Sequence, residues 1–166
     1  MAEDMHAISR FFGATGLVEV TRGEFLARLG DVRSALGDLP ALRGLHYYHE
    51  MALVEARADA LRAGDVAAFL DATRRSGASS AQYLQNVSVA DRAEQPAMVA
   101  LALADHLAGP HGAARIHGGG FGGTIQAFVP VELADGFKSA IDAQLGAGSC
   151  KRYRIMTEGA HATWLS

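Results

Sequence analysis

The chain has 166 residues, the length of one domain at roughly 150 residues each, and its 49% hydrophobic against 20% charged residues can bury a core. Disorder is excluded as its main description. Lys and Arg number 15 against 18 Asp and Glu, a net charge of −3 with no block of like charge, and the sequence pI is near 6.1. A nucleic-acid binder would show a basic stripe and a pI above roughly 9, so neither nucleic acid nor a membrane surface is an expected partner.

The single cysteine, Cys150, cannot form an internal disulfide, and a reduced thiol is its simplest reading. The start, Met1-Ala2-Glu3-Asp4, places acids where a secretory signal carries basic residues. The longest apolar run, Ala97 to Ala104, falls far short of the roughly 20 residues that span a bilayer. A cytoplasmic location is therefore the expectation.

In chain order, Phe11, Phe12, Leu17, Val18 and Val20, interrupted by Gly13 and Gly16, suggest a strand or irregular entry arm over residues 1–20. Thr21 followed by Glu24 is a capping box, and Phe25, Leu26, Leu29 and Val32 recur at helical spacing, which predicts a helix over 22–36. Gly37 and Pro40 end it. The longest helix is expected over 41–63, closed by Gly64. Asp65 is placed as an N-cap for a third helix. Its continuation through Ser76-Gly77-Ala78-Ser79-Ser80 is poor on propensity and suggests a small-residue contact.

Pro96 opens a fourth helix, Gln95 to Ala108, stopped by Gly109-Pro110. Beyond residue 110 the apolar period drops from 3.6 to 2. Strands are expected at 113–116 and 124–129, a helix at 131–145 and a last strand at 149–156, with residues 158–166 as a tail lacking any period. Helices followed by a β-loop-β-α-β tail make the fold class α+β.

The most unusual stretch is His117-Gly118-Gly119-Gly120-Phe121-Gly122-Gly123-Thr124, with five glycines in the six positions 118–123. Glycines permit positive φ and let backbone N–H groups converge on an anion with no Cβ in the way, which points to oxyanion or phosphate contact. No Lys follows as in a P-loop, and a strand rather than a helix comes next, unlike the dinucleotide fingerprint. A hairpin turn or close backbone crossing is the competing explanation, although five glycines exceed what a hairpin needs.

With its flanks, Gly112-Ala113-Ala114-Arg115-Ile116-His117 before and Thr124-Ile125-Gln126-Ala127-Phe128-Val129-Pro130 after, this segment resembles the third signature motif of the GHMP small-molecule kinases, within them the galactokinases. The resemblance extends upstream in order: Phe11-Phe12-Gly13, Leu17-Val18-Glu19-Val20, Ala41-Leu42-Arg43 with His46 to Glu50, Leu61-Arg62-Ala63-Gly64-Asp65, and Ser76-Gly77-Ala78-Ser79-Ser80 with Tyr83-Leu84-Gln85-Asn86-Val87. It covers nearly the whole chain and matches only the C-terminal half of such enzymes.

The resemblance implies a GHMP kinase C-terminal domain over 21–157: a ferredoxin-like α/β plait with additional N-terminal helices, preceded by the arm 1–20 and followed by the tail 158–166. It also implies transfer of the ATP γ-phosphoryl group to the anomeric hydroxyl of galactose, with Mg²⁺, in a cleft between two lobes. His117, Gly118, Gly119, Gly120, Phe121, Gly122 and Gly123 would line that cleft as substrate and phosphate contacts. His117 and Thr124 stand where many relatives have Thr and Cys, which leaves the hexose open.

The family's P-x-x-x-G-L-G-S-S-A motif and its catalytic Asp and Arg belong to the first lobe and are absent here. Gly77-Ala78-Ser79-Ser80-Ala81 echoes the motif but lacks its proline and sits in a helical pattern. The chain alone is therefore expected to be inactive, to hold neither ATP nor Mg²⁺ tightly, and to need an N-terminal galactokinase lobe as partner. Galactose or galactose 1-phosphate is the expected ligand, and an uncovered lobe interface could support a homodimer. The alternative is a free-standing sugar-phosphate-binding or regulatory module derived from that lobe.

Other residues attract plainer readings. His46 and His49, with Glu50, share a helix, but no third ligand is spaced nearby and no metal is assigned. Cys150, beside Lys151 and Arg152, reads as a packing thiol, and Ser79 and Ser80 have no base at readable spacing.

Overall fold

The computed structural model describes residues 2–90, 93–120 and 124–154. The chain is α+β: seven α-helices and one two-stranded antiparallel sheet among those residues.

The arm expected to be strand or irregular is instead a helix, α1 (Ala2–Phe11). Glu3 and Asp4 in its first turn and Arg10 in its last complement the helix dipole, and Ile8, fully buried, sits one turn from Met5 and Phe12 in the core. The helical period lies in residues 5–12, upstream of the apolar stretch that suggested an extended arm. A 3₁₀ turn, Leu17–Glu19, then lays Leu17 and Val20 into the same core.

The capping box forms as read: Thr21 N donates to Glu24 Oε2 at 2.8 Å and Glu24 N to Thr21 Oγ1 at 3.2 Å. The single helix expected over 22–36 is two, α2 (Arg22–Ala27) and α3 (Leu29–Leu36). Arg28 between them leaves helical geometry (φ −112°, ψ 19°) and lays its guanidinium 4.5 Å from the Phe11 ring centroid and 5.1 Å from that of Phe12. An arginine, a good helix former, gives no local sign of this break.

α4 (Asp38–Ala63) is 26 residues, about 39 Å long, ending at Gly64 in the left-handed region (φ 69°). Its first half closes a core with α1, α2 and α3 around Phe25, Val32, Ala41 and Tyr48. Burying a side chain such as Phe25, which has no exposed surface, contributes about 2–3 kcal/mol. Tyr48 donates its hydroxyl to Val20 O at 2.8 Å, and burial pushes the phenol up to about 12.

α5 (Val66–Ser79), N-capped by Asp65 onto Ala68 N at 2.9 Å, packs along α4. The stretch Ser76–Ser80 stays helical despite its propensity. Its smallness serves the expected contact, since a Cβ on Gly77 would lie 3.1 Å from Ala114 O and 3.3 Å from Arg115 Cβ. The helix then widens into a π-turn, Ser80–Leu84.

α6 (Pro96–Ala108) leads through a 3₁₀ turn into β1 (Ala113–Ile116), which pairs with β2 (Ile125–Phe128) in the register Ala113↔Phe128 to Ile116↔Ile125. After Pro130 a 3₁₀ turn, Val131–Leu133, precedes α7 (Ala134–Leu145), whose Phe137 and Ile141 join Ala104, Ala108 and Ala114 in a second core.

The strand expected at 149–156 is absent over 149–154. Those residues are tied to the end of α7 instead, with Cys150 N donating to Asp142 Oδ1 at 2.8 Å and Ser149 Oγ to Leu145 O at 2.9 Å. Residues 155–156 and the tail 158–166 lie outside the described residues. No helix is long and apolar enough to cross a membrane among the described residues.

Candidate functional site

β1 and β2 are the arms that present the glycine segment. Pairing continues one residue past the strands, His117 N donating to Thr124 O at 2.9 Å, so the turn begins at Gly118. β1 is held from both sides: α5 and α6 pack on it, and Arg74 of α5 donates to Gly112 O at 2.7 and 3.0 Å and to Pro110 O at 2.7 Å. The paired arms carry the turn to the surface, where Gly118 and Gly119 are exposed.

His117, Gly118 and Gly119 are exposed and Gly120 is half-buried. The three glycines differ in why they lack a side chain. Gly118 has positive φ (72°) with nothing within 4 Å of where a Cβ would lie. Gly119 also has open space there, and its φ is outside the left-handed region, so neither conformation nor packing demands glycine at that position. Gly120, at φ 83°, is a wedge: a Cβ would sit 2.2 Å from Asn86 O and 2.8 Å from Asn86 Cβ.

Among the described residues the N–H groups of Gly118, Gly119 and Gly120 donate no backbone hydrogen bond. Such a turn can receive an anion. Phe121, Gly122 and Gly123, expected in the same site, lie outside the described residues.

Asn86, which patterning did not single out, is the residue beneath the turn. It is 1% exposed and donates Nδ2 to Gly119 O at 3.4 Å, while its Oδ1 is buried with no hydrogen-bond partner. Gln85 before it adopts the left-handed conformation (φ 57°), rare for a non-glycine, at the exit of the π-turn. Val87 packs with Ala97 and Ile116 just below. The sequence offers one cue, a polar residue directly before the apolar Val87, and that cue is weak.

A polar hub supports the arms from the other side. Glu50 of α4 accepts from Arg57 Nη2 at 2.8 Å, Arg115 Nη1 at 3.1 Å and Ser76 Oγ at 2.6 Å. All three charged side chains are about four-fifths buried. One turn earlier, His46 Nδ1 meets Ser79 Oγ at 2.9 Å, and burial, helped by Arg115 and His49, holds the imidazole below its ordinary range against the opposing pull of Glu50.

No group of three or more His, Cys, Asp or Glu able to hold a metal occurs among the described residues. Ser79 and Ser80 are buried helix residues, not part of an exposed phosphate loop. The Cys150 thiol is pushed up by burial and by Asp142, opposed by Lys138, which favours its neutral form.

A cavity of about 130 Å³ lies apart from the turn, between α2 and α4, over Phe25 and Tyr48. Exposed apolar residues line α4 at helical spacing, Met51, Val54 and Leu61. No family model matches the sequence.

Proposed function

We propose that this chain forms the C-terminal lobe of a galactokinase of the GHMP kinase family, contributing its glycine turn to a site where an ATP γ-phosphoryl group passes to the anomeric hydroxyl of galactose. The observation that carries the reading is Gly119. It is exposed, needs no glycine for its own conformation or packing, and leaves free the space a side chain would fill. A turn whose missing side chain serves nothing internal is suited to something external. Its backbone N–H groups match the charge of a phosphoryl oxygen.

Under this reading the β1–β2 hairpin with α6 and α7 is the part of a ferredoxin-like plait that the described residues hold. The exposed Met51, Val54 and Leu61 would be covered by the other lobe or a second copy of the chain. In this reading the ATP-binding and Mg²⁺-binding groups belong to the first lobe. What the chain would supply is positioning: backbone amides presented by paired arms.

The test is reconstitution. The chain alone should release no ADP from ATP with galactose. Mixed with a galactokinase ATP-binding lobe it should gain turnover, and Gly119→Val should abolish that turnover without unfolding the chain. Turnover by the chain alone, or reconstituted turnover indifferent to Gly119→Val, would overturn the proposal. Saturable, tight binding of galactose 1-phosphate with no partner lobe would favour the free-standing module.

A further inference from the structure

The structure assigns to Asn86 the role of positioning residue for the glycine turn: it holds the Gly119 carbonyl inward and thereby turns the Gly120 N–H outward, toward a phosphate monoester. The assignment rests on the reading of the turn as a phosphoryl-sugar site. It concerns a residue outside the turn, 33 positions earlier in the chain.

No peptide bond among the described residues is cis. In a planar trans peptide the carbonyl of one residue and the N–H of the next point in opposite directions. Asn86 Nδ2 donates to Gly119 O at 3.4 Å from a side chain that is 1% exposed, so that carbonyl faces the interior. The Gly120 N–H, on the far side of the same peptide plane, therefore faces away from Asn86. Were the plane reversed, a carbonyl oxygen would confront the incoming phosphate and repel it.

Two further features mark the arrangement as built. Reversing the Asn86 amide would set Oδ1 against Gly119 O, so the hydrogen bond fixes which way it points. In that orientation Oδ1 is left buried without a partner, a cost an apolar residue of similar size would avoid. Gly120 at φ 83° also has no room for a Cβ against the Asn86 backbone, so the two residues are locked face to face. The strained Gln85 at φ 57° delivers Asn86 into that contact.

The experiment compares the full chain with Asn86→Leu and the isosteric Asn86→Asp, titrating inorganic phosphate and galactose 1-phosphate while following the Gly118, Gly119 and Gly120 amide resonances. The wild-type resonances should shift with both probes at about millimolar concentrations, the weak affinity of an exposed turn without its partner lobe. Asn86→Leu removes the orphan acceptor with the latch, so its thermal midpoint should stay within about 2–4 °C of wild type or rise. Its affinity for both probes should fall about tenfold or more, the worth of one hydrogen bond to a charged group. Asn86→Asp, which places negative charge against Gly119 O, should lose at least as much.

Either variant binding within about twofold of wild type would overturn the role of Asn86 while leaving the phosphate site standing. Loss of affinity strictly in step with loss of stability would reduce Asn86 to structural support and overturn it too. No shift in the wild-type chain with either probe would remove the site itself and the role with it.

Discussion

Replacing Gly120 and Gly119 separately by alanine should give opposite results, although the two are adjacent in the same turn. At Gly120 two costs add. An alanine held at φ 83° loses about 1–2 kcal/mol, because its Cβ crowds the local backbone. The same Cβ would lie 2.2 Å from Asn86 O and 2.9 Å from Asn86 Cγ. The first is a main-chain atom that cannot rotate aside, so local repacking costs a further 1–3 kcal/mol or so.

Gly120→Ala should therefore destabilise by about 2–5 kcal/mol, which for a chain of this length lowers the thermal midpoint by roughly 4–20 °C. Gly119→Ala meets nothing within 4 Å and sits outside the left-handed region, so it should be neutral or gain up to about 1 kcal/mol through the unfolded state. Urea unfolding of the three proteins, read by circular dichroism, measures both. A Gly120→Ala chain as stable as wild type, or a Gly119→Ala chain that loses more than about 1 kcal/mol, would refute the assignment of one glycine to packing and the other to an external ligand.

Three more outcomes follow from the rest of the molecule. A Cβ on Gly44 would lie 2.5 Å from Phe25 Cζ and 3.1 Å from Ile8 Cδ1, both in fully buried side chains, so Gly44→Ala should cost about 1–3 kcal/mol by urea unfolding. Glu50→Gln leaves Arg57 and Arg115 about four-fifths buried without their carboxylate. The loss should be about 2–4 kcal/mol, below the 3–5 of a fully buried pair because a fifth of each group is solvated.

His46 has a folded pKa below its unfolded value of about 6.5, so the unfolded chain binds the extra proton and acid favours it. Its contribution is fully present above pH 6.5 and should be lost as pH falls toward the folded pKa, with a slope of at most about 1.4 kcal/mol per pH unit. His46→Gln, which cannot titrate, should flatten that limb in urea titrations between pH 7 and 5. An unchanged slope would place the proton uptake elsewhere.

Elements whose cause is local were legible in the sequence. The capping box of Thr21 and Glu24, the αL stop at Gly64, the Asp65 cap and the hairpin arms around the glycines all depend on neighbours within a few positions. Where the cause is tertiary, patterning failed. The break at Arg28 coincides with its packing on the rings of Phe11 and Phe12, far outside any helical window, and residues 149–150, where a strand was expected, bond instead to Asp142 and Leu145. The entry arm differs: its helical period over residues 5–12 is local, but it adjoins an apolar run, Leu17 to Val20, behind Gly13 and Gly16, a pattern that resembles an extended segment.

The glycine segment shows how far composition can reach. Five glycines mark the place, but the three described are not equivalent: Gly120 fits against Asn86, whereas Gly118 and Gly119 have open space where a Cβ would lie, and composition alone cannot tell them apart. That distinction requires Asn86, a residue of another element whose side chain meets the turn only because the π-turn at Ser80–Leu84 and the αL residue Gln85 redirect the chain. A polar amide placed dry under a turn, with one bond made and one acceptor unpaired, is costly for a purely structural joint. Asn86→Leu removes that orphan acceptor together with the bond to Gly119 O, so under the proposed role its cost is read in ligand affinity rather than in stability.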